Sequence, residues 1–200
     1  MTEGPKLSAV ISVHNEGHQL AACLDTLDFA DELVVLLDKC TDDSKDIALK
    51  YTDRVIEGAW KIEGERRNTA IEACNGEWVF EIDADERVPS RLAEEIRRTV
   101  NQTKSDWHEI LVDNYIGDRL VRWGWGASFG KAAYPGLFKK GVKKWGMQRV
   151  HPNLEWSGEK GPMLNHRLTH YVDRDISDMI KRLDNYSTAR AKDLRQSGDI

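Results

Sequence analysis

Short apolar runs alternate with stretches of helical spacing through the first half of the chain. The apolar runs are rich in β-branched and aromatic residues and predict strands over 7–13, 33–37, 54–57 and 78–82. Where apolar residues recur every three or four positions, the spacing predicts helices over 17–27, 41–51, 64–74 and from Pro89 onward. Because strands alternate with helices, the sequence predicts an α/β fold with a mostly parallel sheet flanked by helices.

The pattern becomes irregular after residue 101. Strands are predicted over 107–114 and 163–171, and a long amphipathic helix over 176–194. The stretch 116–161 is rich in glycine and aromatic residues and has no helical period, so short strands and loops are expected there. Since no repeat or linker interrupts the chain, one domain is expected. The expected organisation is a single domain over 1–200, with a regular half over 7–101 and an irregular half over 102–200.

The composition of the 200 residues suits a globular domain, since 40% of them are hydrophobic and 32% are charged. A net charge of −5 argues against a nucleic-acid partner. The three cysteines, Cys23, Cys40 and Cys74, show no CxxC spacing, and their odd number indicates the reduced thiols of a cytoplasmic protein. No apolar run approaches the roughly 20 residues of a membrane span, and no signal peptide is predicted.

Charge is distributed unevenly along the chain. Residues 119–154 contain eight cations and no Asp or Glu, whereas acidic residues predominate in the N-terminal half. These cations, with the aromatic residues among them, predict contact with an anionic glycan or with the inner face of the cytoplasmic membrane. The alternative is an ordinary basic loop region whose aromatic side chains fill a small hydrophobic cluster.

Polar residues follow the predicted strands at the point where each strand ends. Asn15 and Glu16 follow the first strand, and Asp38 ends the second strand. Asp83 and Asp85 follow the fourth strand. Because ligands of parallel α/β sheets bind beyond the carboxyl ends of the strands, these side chains are expected to converge on one crevice.

Asp83 and Asp85 form an Asp-x-Asp pair that could bind a divalent cation. Oxygen ligands suit Mg²⁺ or Mn²⁺, and such an ion is commonly shared with a diphosphate. His166 and His170 lie near the end of a predicted strand and could complete a metal site that begins at Asp85. The alternative is a solvated capping loop before the helix that begins at Pro89.

Other residues near the strand ends could bind a nucleotide. Asp38 could accept a hydrogen bond from a ribose hydroxyl or a base N–H, with helix capping around it as the alternative. Arg66 and Arg67 lie near a predicted helix start, where one of them could face a diphosphate and the other the solvent. The sequence contains no P-loop and no Gly-x-Ser-x-Gly elbow, which argues against nucleoside triphosphate hydrolysis and serine hydrolysis.

Four segments in this order resemble family 2 glycosyltransferases of the GT-A fold. They are AVISVHNE, ELVVLLDKCTDDS, RRNTAIEACNGEWVFEIDADERV and LTHYVDRDISDMIKRLDNYSTARA. The last segment, with RVHPNLEWSG before it, is similar to a subgroup that resembles lipopolysaccharide-core glycosyltransferases of the WaaE kind. The resemblance implies a Rossmann-like nucleotide-diphospho-sugar transferase fold, in which the regular half binds the nucleotide sugar and the irregular half lies on the acceptor side.

The resemblance further implies an inverting enzyme that moves a sugar from a UDP-sugar to a lipopolysaccharide core or another cell-envelope glycan. Asn15 and Glu16 would border the nucleotide, and Asp38 would contact its base or ribose. Asp83 with Asp85 would bind the ribose and the Mg²⁺ or Mn²⁺ ion that bridges the diphosphate. A carboxylate would deprotonate the acceptor hydroxyl, while the metal would stabilise the departing diphosphate.

The residue that acts as base is less evident, since the subgroup often shows His-Glu where this chain has His151-Pro152. Glu155, Asp113 and His151 itself are the candidates. Two other functions stay open. One is a non-catalytic protein that binds a nucleotide sugar, an anionic glycan or a membrane surface. The other is a nucleotidyltransferase, although the stretch HNEGHQL lacks the glycine- and lysine-rich loop expected after the first strand of such an enzyme.

Overall fold

Strands and helices alternate through the first half of the computed structural model, which describes residues 7–123, 130–148 and 153–197. The strands are β1 Leu7–Val13, β2 Glu32–Asp38, β3 Val55–Gly58, β4 Trp78–Ile82, β5 Glu86–Arg87, β6 Trp107–Ile116, β7 Arg119–Leu120, β8 Ala133–Lys139, β9 Lys143–Trp145, β10 Leu154–Trp156 and β11 Leu164–Asp173. The helices are α1 Gly17–Leu24, α2 Ser44–Ala48, α3 Glu63–Ala73, α4 Ser90–Gln102 and α5 Ile176–Ser197.

Nine of the described strands form one mixed sheet. Its first half is parallel and has the order β3-β2-β1-β4. Strand β8 then pairs antiparallel with β4 and leads into the order β8-β6-β11-β5, in which β6 and β11 are parallel. Strand β7 pairs with β6, while β9 and β10 form a separate hairpin. The predicted α/β fold is confirmed, and its antiparallel pairs come from the irregular half.

The core lies on both faces of the parallel strands. Ile11 lies in the same apolar layer as Leu20 of α1, whereas Val10 lies in the opposite layer, together with Ile71 of α3. Successive residues of a strand point to opposite faces, and here both faces are covered. Strand β1 therefore needs no alternation of apolar and polar residues. Burial of its apolar side chains stabilises the folded state by about 25 cal/mol for each Å² removed from water.

The helix after β2 is shorter than its predicted range, 41–51. It begins only at Ser44, because the backbone N–H groups of Thr41 and Asp42 donate to Oδ1 of Asn15 instead of joining a helix. Asp42 Oδ1 then accepts the N–H of Ser44 at 3.1 Å. Since Asn15 follows β1, this contact ties together the loops at the ends of two neighbouring strands.

The irregular half joins the regular half mainly through strand pairing. Val79 of β4 pairs with Phe138 of β8, and the indole rings of Trp107 and Trp156 stack at 4.4 Å over the same apolar layer. On the other face, α4 packs against β11. None of the described helices is both long and apolar enough to cross a membrane.

Candidate active site

The loop after β1 is shaped by Asn15, whose φ of 56° lies in the left-handed region that asparagine tolerates. Its Oδ1 accepts the N–H of Thr41 at 2.7 Å. The neighbouring Glu16 donates its own N–H to Ser44 Oγ and accepts the side chain of Gln19 at 2.8 Å. Asn15 and Glu16 therefore lie at the carboxyl edge of the sheet, where they order the loop that borders the strand ends.

Asp38 ends β2 as a largely buried carboxylate, 8% exposed. Its Oδ1 accepts the backbone N–H of Trp60 at 3.0 Å, and its Oδ2 lies 3.4 Å from the Arg66 guanidinium. These contacts fix the carboxylate at the rim of the sheet. The structure thus brings Asp38 and Arg66 together, two residues that the sequence placed separately.

Arg67, the next residue of α3, reaches the end of β4 instead. Its guanidinium lies 2.9 Å from Glu81 and 3.0 Å from Asp83, and it packs on the Trp145 ring at 4.9 Å from the centroid. Burial disfavours the charge, but these carboxylates raise the pKa of Arg67 well above its ordinary value. Two adjacent arginines of one helix therefore serve the ends of two different strands.

Lys131, in the segment before β8, holds the other side of Asp83. Its Nζ lies 3.2 Å from Asp83 Oδ2 and 2.7 Å from Glu86 Oε1. Burial opposes ionisation of Asp83, but Arg67 and Lys131 lower its pKa far below the ordinary value. In contrast, burial raises the pKa of Glu86 to about 7 despite the neighbouring lysine. Both carboxylate oxygens of Asp83 are thus held by cationic side chains.

Asp85 faces His170 across a gap of 3.2 Å between Oδ2 and Nε2. Strand pairing creates this contact, because His170 of β11 lies opposite Glu86 of β5, the residue after Asp85. The other ring nitrogen of His170, Nδ1, lies 2.8 Å from Oδ1 of Asn114. The buried Oδ1 of Asp85 has no hydrogen-bond partner within the part of the chain that the structure describes.

The pair Asp85 and His170 fits a divalent cation, since it offers an unpartnered carboxylate oxygen beside an imidazole nitrogen. Asp83 fits such an ion less well, because Arg67 and Lys131 already occupy both of its oxygens. No group of three or more His, Cys, Asp or Glu among the described residues is arranged to hold a metal. A cation held by two protein groups would leave coordination positions for phosphate oxygens and water.

The structure places His166 elsewhere. His166 Nδ1 lies 2.8 Å from Oε2 of Glu95 on α4, which also accepts the backbone N–H of His166. Asn165 donates to the other oxygen of Glu95 through its backbone and its side chain. His166 therefore joins β11 to α4 and is not brought together with Asp85.

Asp113 and Glu155, the two candidate bases that the structure describes, form no hydrogen bond with Asp85 or His170. Asp113 precedes Asn114 in β6 and so points to the opposite face, where both of its oxygens contact the Arg122 guanidinium. Glu155 lies on β10 as an exposed residue, paired in register with Lys144. His151 lies outside the described residues.

A cavity of about 190 Å³ adjoins the site, between Asp83 and the β9–β10 hairpin. Trp145 and Leu154 line it together with Asp83 and Lys131. Sequence reasoning did not identify Glu81, Glu86, Lys131, Trp145 or Asn114 as site residues. Only Glu81 gave a signal, as a lone carboxylate in an apolar strand, which must find partners when it is buried.

Most of the described cationic side chains of the basic stretch, residues 119–154, contact acidic or carbonyl groups of the same chain. Lys143 contacts Glu81 at 2.6 Å with its side chain only 2% exposed, and Lys139 contacts Asp106 at 2.9 Å. Lys140 donates to backbone carbonyl groups of residues 72 and 74. The predicted contact of this stretch with a membrane surface is therefore not supported.

Comparison with known proteins defines the class. Residues 8–95 match the family model described as Glycosyl transferase family 2. The resemblance to family 2 glycosyltransferases and the enzyme class, both predicted from the sequence, are confirmed by this match. The matched range contains Asp38, Arg67, Asp83 and Asp85.

Individual relatives agree with this class. The lipopolysaccharide core biosynthesis glycosyltransferase LpsC of Rhizobium meliloti is 25% identical over 96% of this chain and 73% of its own length. An uncharacterised glycosyltransferase of Rickettsia conorii is 27% identical over 96% of this chain and 72% of its own length.

Among solved structures, S. aureus TarS 1–349 in complex with UDP has a TM-score of 0.63 and 15% identity. The alignment covers 83% of this chain but only 60% of the TarS chain. This similarity concerns the fold, and it confirms the predicted GT-A architecture.

Proposed function

We propose that this chain transfers a sugar from a UDP-sugar to a glycan of the cell envelope, with inversion at the anomeric carbon. The observation that carries the proposal is the arrangement at the carboxyl edge of the sheet. There Asp38 ends β2, Asp83 follows β4, and Asp85 faces His170. Edges of this kind are where parallel α/β sheets bind their ligands.

Nucleotide binding is assigned to the end of β2 and the loops beside it. Asp38 is held by Arg66 and by the N–H of Trp60, which suits a carboxylate that accepts from a base or a ribose. Asn15 and Glu16 order the adjoining loop. The TarS structure was determined with UDP, and its similarity in fold supports the same class of donor for this chain.

Asp85 and His170 are the residues that would hold a Mg²⁺ or Mn²⁺ ion. Such an ion, when bound, neutralises the charge that develops on the departing diphosphate. Arg67 and Lys131 keep Asp83 ionised and fix its orientation beside that pair. These charges lie at the junction of the two halves of the chain, where a donor and an acceptor would meet.

Direct displacement needs a base within hydrogen-bond reach of the acceptor hydroxyl. Glu155 is the proposed base, because it lies four residues after His151, near the position where the resembling subgroup carries a carboxylate, and its side chain on β10 is exposed. Asp113 is less suitable, since Arg122 and Arg167 both contact its carboxylate. The acceptor proposed is a lipopolysaccharide core, by similarity to LpsC.

The test is UDP release from a panel of UDP-sugars, measured with and without Mn²⁺ for the wild type and the Asp85→Asn variant. Loss of a group that stabilises the leaving charge is expected to reduce metal-dependent UDP release by about 100-fold or more. Asp184→Asn, an exposed acid on α5, serves as the control and is expected to leave the rate unchanged.

Three results would decide against parts of this function. If no UDP-sugar binds, the donor assignment is wrong. If the Asp85→Asn variant keeps its metal-dependent turnover, the cation assignment is wrong. If the wild type binds a UDP-sugar tightly yet transfers to no acceptor, the chain is a non-catalytic binding protein.

Glu155→Gln is expected to abolish transfer but to retain UDP binding, and unchanged transfer would exclude Glu155 as the base.

A further inference from the structure

Asn114 lies at the centre of a hydrogen-bonded chain that joins the two halves of the site. This side chain of β6 is buried, at 8% exposure, and lies opposite His170 in the parallel pairing of β6 with β11. Its Oδ1 is 2.8 Å from His170 Nδ1, and its Nδ2 is 2.9 Å from the carbonyl oxygen of Lys131. Gly130 leaves the space for this amide, because a Cβ there would lie 2.2 Å from Asn114 Cγ.

The carbonyl oxygen of Lys131 fixes which way the amide points. A carbonyl oxygen can only accept a hydrogen bond, so the NH₂ group of Asn114 must face it. The Oδ1 atom then faces His170 and can only accept in turn. The proton of a neutral His170 is therefore held on Nδ1, and Nε2 carries a lone pair.

That lone pair points at a carboxylate. Nε2 of His170 lies 3.2 Å from Oδ2 of Asp85, and in the neutral tautomer both atoms are hydrogen-bond acceptors. Two acceptors at this distance repel each other unless a proton or a metal cation lies between them. The unpartnered Oδ1 of Asp85 adds a further oxygen to the same place.

We propose that Asn114 is a positioning residue that locks His170 with its proton on Nδ1, so that Nε2 is presented beside Asp85 to a divalent cation. The inference rests on the proposed function, in which Asp85 and His170 hold that cation. Without the Asn114 acceptor, His170 is free to place its proton on Nε2 and donate to Asp85, which removes the lone pair that a metal needs. Hydrogen-bond partners of a ligating histidine commonly change metal affinity by about 10- to 100-fold.

The same amide also connects the cation site to Asp83. Asn114 holds the backbone of Lys131, and the Nζ of Lys131 holds Asp83 Oδ2 at 3.2 Å. One buried side chain thus aligns His170 on β11 and, through Lys131, the carboxylate at the end of β4. Asn114 itself contacts neither Asp83 nor Asp85 in the hydrogen bonds of the described residues, so its effect is exerted through these two neighbours.

The test measures Mn²⁺ binding alone, on the full chain at pH 8 and without any donor, by the loss of the free Mn²⁺ signal in electron paramagnetic resonance. Asn114→Leu preserves the size of the side chain but removes the acceptor, and its Mn²⁺ affinity is expected to fall by about 10- to 100-fold. Urea unfolding of Asn114→Leu without metal checks its fold, and an unfolding midpoint close to that of the wild type separates positioning from folding.

A second readout follows the tautomer directly. In ¹⁵N spectra without metal, with the His170 signals assigned by their loss in His170→Gln, the wild type is expected to show the proton on Nδ1. Asn114→Leu is expected to move it to Nε2. The proposal is overturned if the wild type shows the Nε2 tautomer, if it binds no Mn²⁺, or if Asn114→Leu binds Mn²⁺ as tightly as the wild type does.

These outcomes are distinct from those of the proposed function. A wild type that binds Mn²⁺ through an Nδ1-protonated His170, yet turns over no UDP-sugar, supports the role of Asn114 while the transferase assignment fails. If the wild type shows metal-dependent turnover but Asn114→Leu keeps its Mn²⁺ affinity and its tautomer, the transferase assignment is supported and the role of Asn114 is excluded.

Discussion

Glu81 shows how one residue of the strand β4 is stabilised in an apolar layer. Its carboxylate lies 2.6 Å from Lys143 and 2.9 Å from Arg67, and it accepts the indole N–H of Trp145 at 3.2 Å. Burial opposes its ionisation, but these partners lower the pKa of Glu81 below its ordinary value. Removing one partner of such a buried group leaves an uncompensated charge, which costs more than the pair contributes.

Lys143 and Lys144 offer a matched pair of substitutions on β9. Lys143→Met is expected to lower the free energy of unfolding by about 3 kcal/mol, because it leaves the buried Glu81 short of one cation. Lys144→Met changes an exposed side chain and is expected to stay within about 0.5 kcal/mol of the wild type. Urea unfolding measures both, and equal effects of the two substitutions would contradict this account.

At the scale of elements, Glu95 fastens the helix α4 to the strand β11. This buried carboxylate accepts hydrogen bonds from the backbone and side chain of both Asn165 and His166, at 2.8 to 2.9 Å. Burial disfavours the charge, yet these donors lower the pKa of Glu95 from 4.5 to about 2. The clamp therefore sets the position of β11, which carries His170.

The clamp makes stability depend on pH. A carboxyl whose pKa is lowered by folding stabilises the protein above its unfolded pKa, and this stability is lost as the pH falls through the folded pKa. A pKa lowered from 4.5 to about 2 corresponds to about 3 kcal/mol, lost between about pH 5 and pH 2.

Glu95→Gln is expected to remove this part of the pH dependence, whereas Glu94→Gln, an exposed neighbour, is expected to retain it. Urea unfolding of the three proteins at several pH values between 5 and 2 measures the difference. An unchanged slope in the Glu95→Gln variant would exclude the clamp as its source.

At the scale of the whole molecule, the acidic first half and the basic stretch at 119–154 neutralise each other. Lys131 contacts Asp83 and Glu86, while Lys143 contacts Glu81. The strands join in the same way, since β8 covers the edge of β4. Part of the uneven charge along the sequence is therefore paired inside the molecule.

This arrangement predicts that the first half does not fold alone. A fragment of residues 1–102 lacks β8 and β11, so it exposes a strand edge. It also lacks Lys143 and Lys131, which contact Glu81, Asp83 and Glu86, and the hydrogen-bond donors of Glu95. We expect no cooperative unfolding and poor dispersion in its NMR spectrum, in contrast to the whole chain. A well-dispersed, cooperatively unfolding fragment would show that the chain contains two domains.

The regular half of the fold could be predicted from its residues because its signals are local. The strand at 78–82 was predicted with the bounds that the structure has, and the helix predicted at 64–74 spans Glu63–Ala73. In contrast, β9 and β10 are three residues each and depend on pairing with each other. No periodicity can develop in so few residues, so this part of the chain was predicted only as short strands and loops.

The sequence by itself determined which residues stand at the ends of the parallel strands, because apolar runs mark the strands and polar residues mark where they stop. It therefore indicated Asp38, Asp83 and Asp85, while the resemblance to family 2 glycosyltransferases indicated the class of enzyme. The sequence offered both His166 and His170 as partners of Asp85, and only the tertiary structure decided between them and brought Lys131 to Asp83. Lys131 and His170 lie 48 and 85 residues away from the carboxylates that they contact, and Asn114 lies 56 residues from His170. Contacts at such separations follow from strand order and register, which no local pattern of residues encodes.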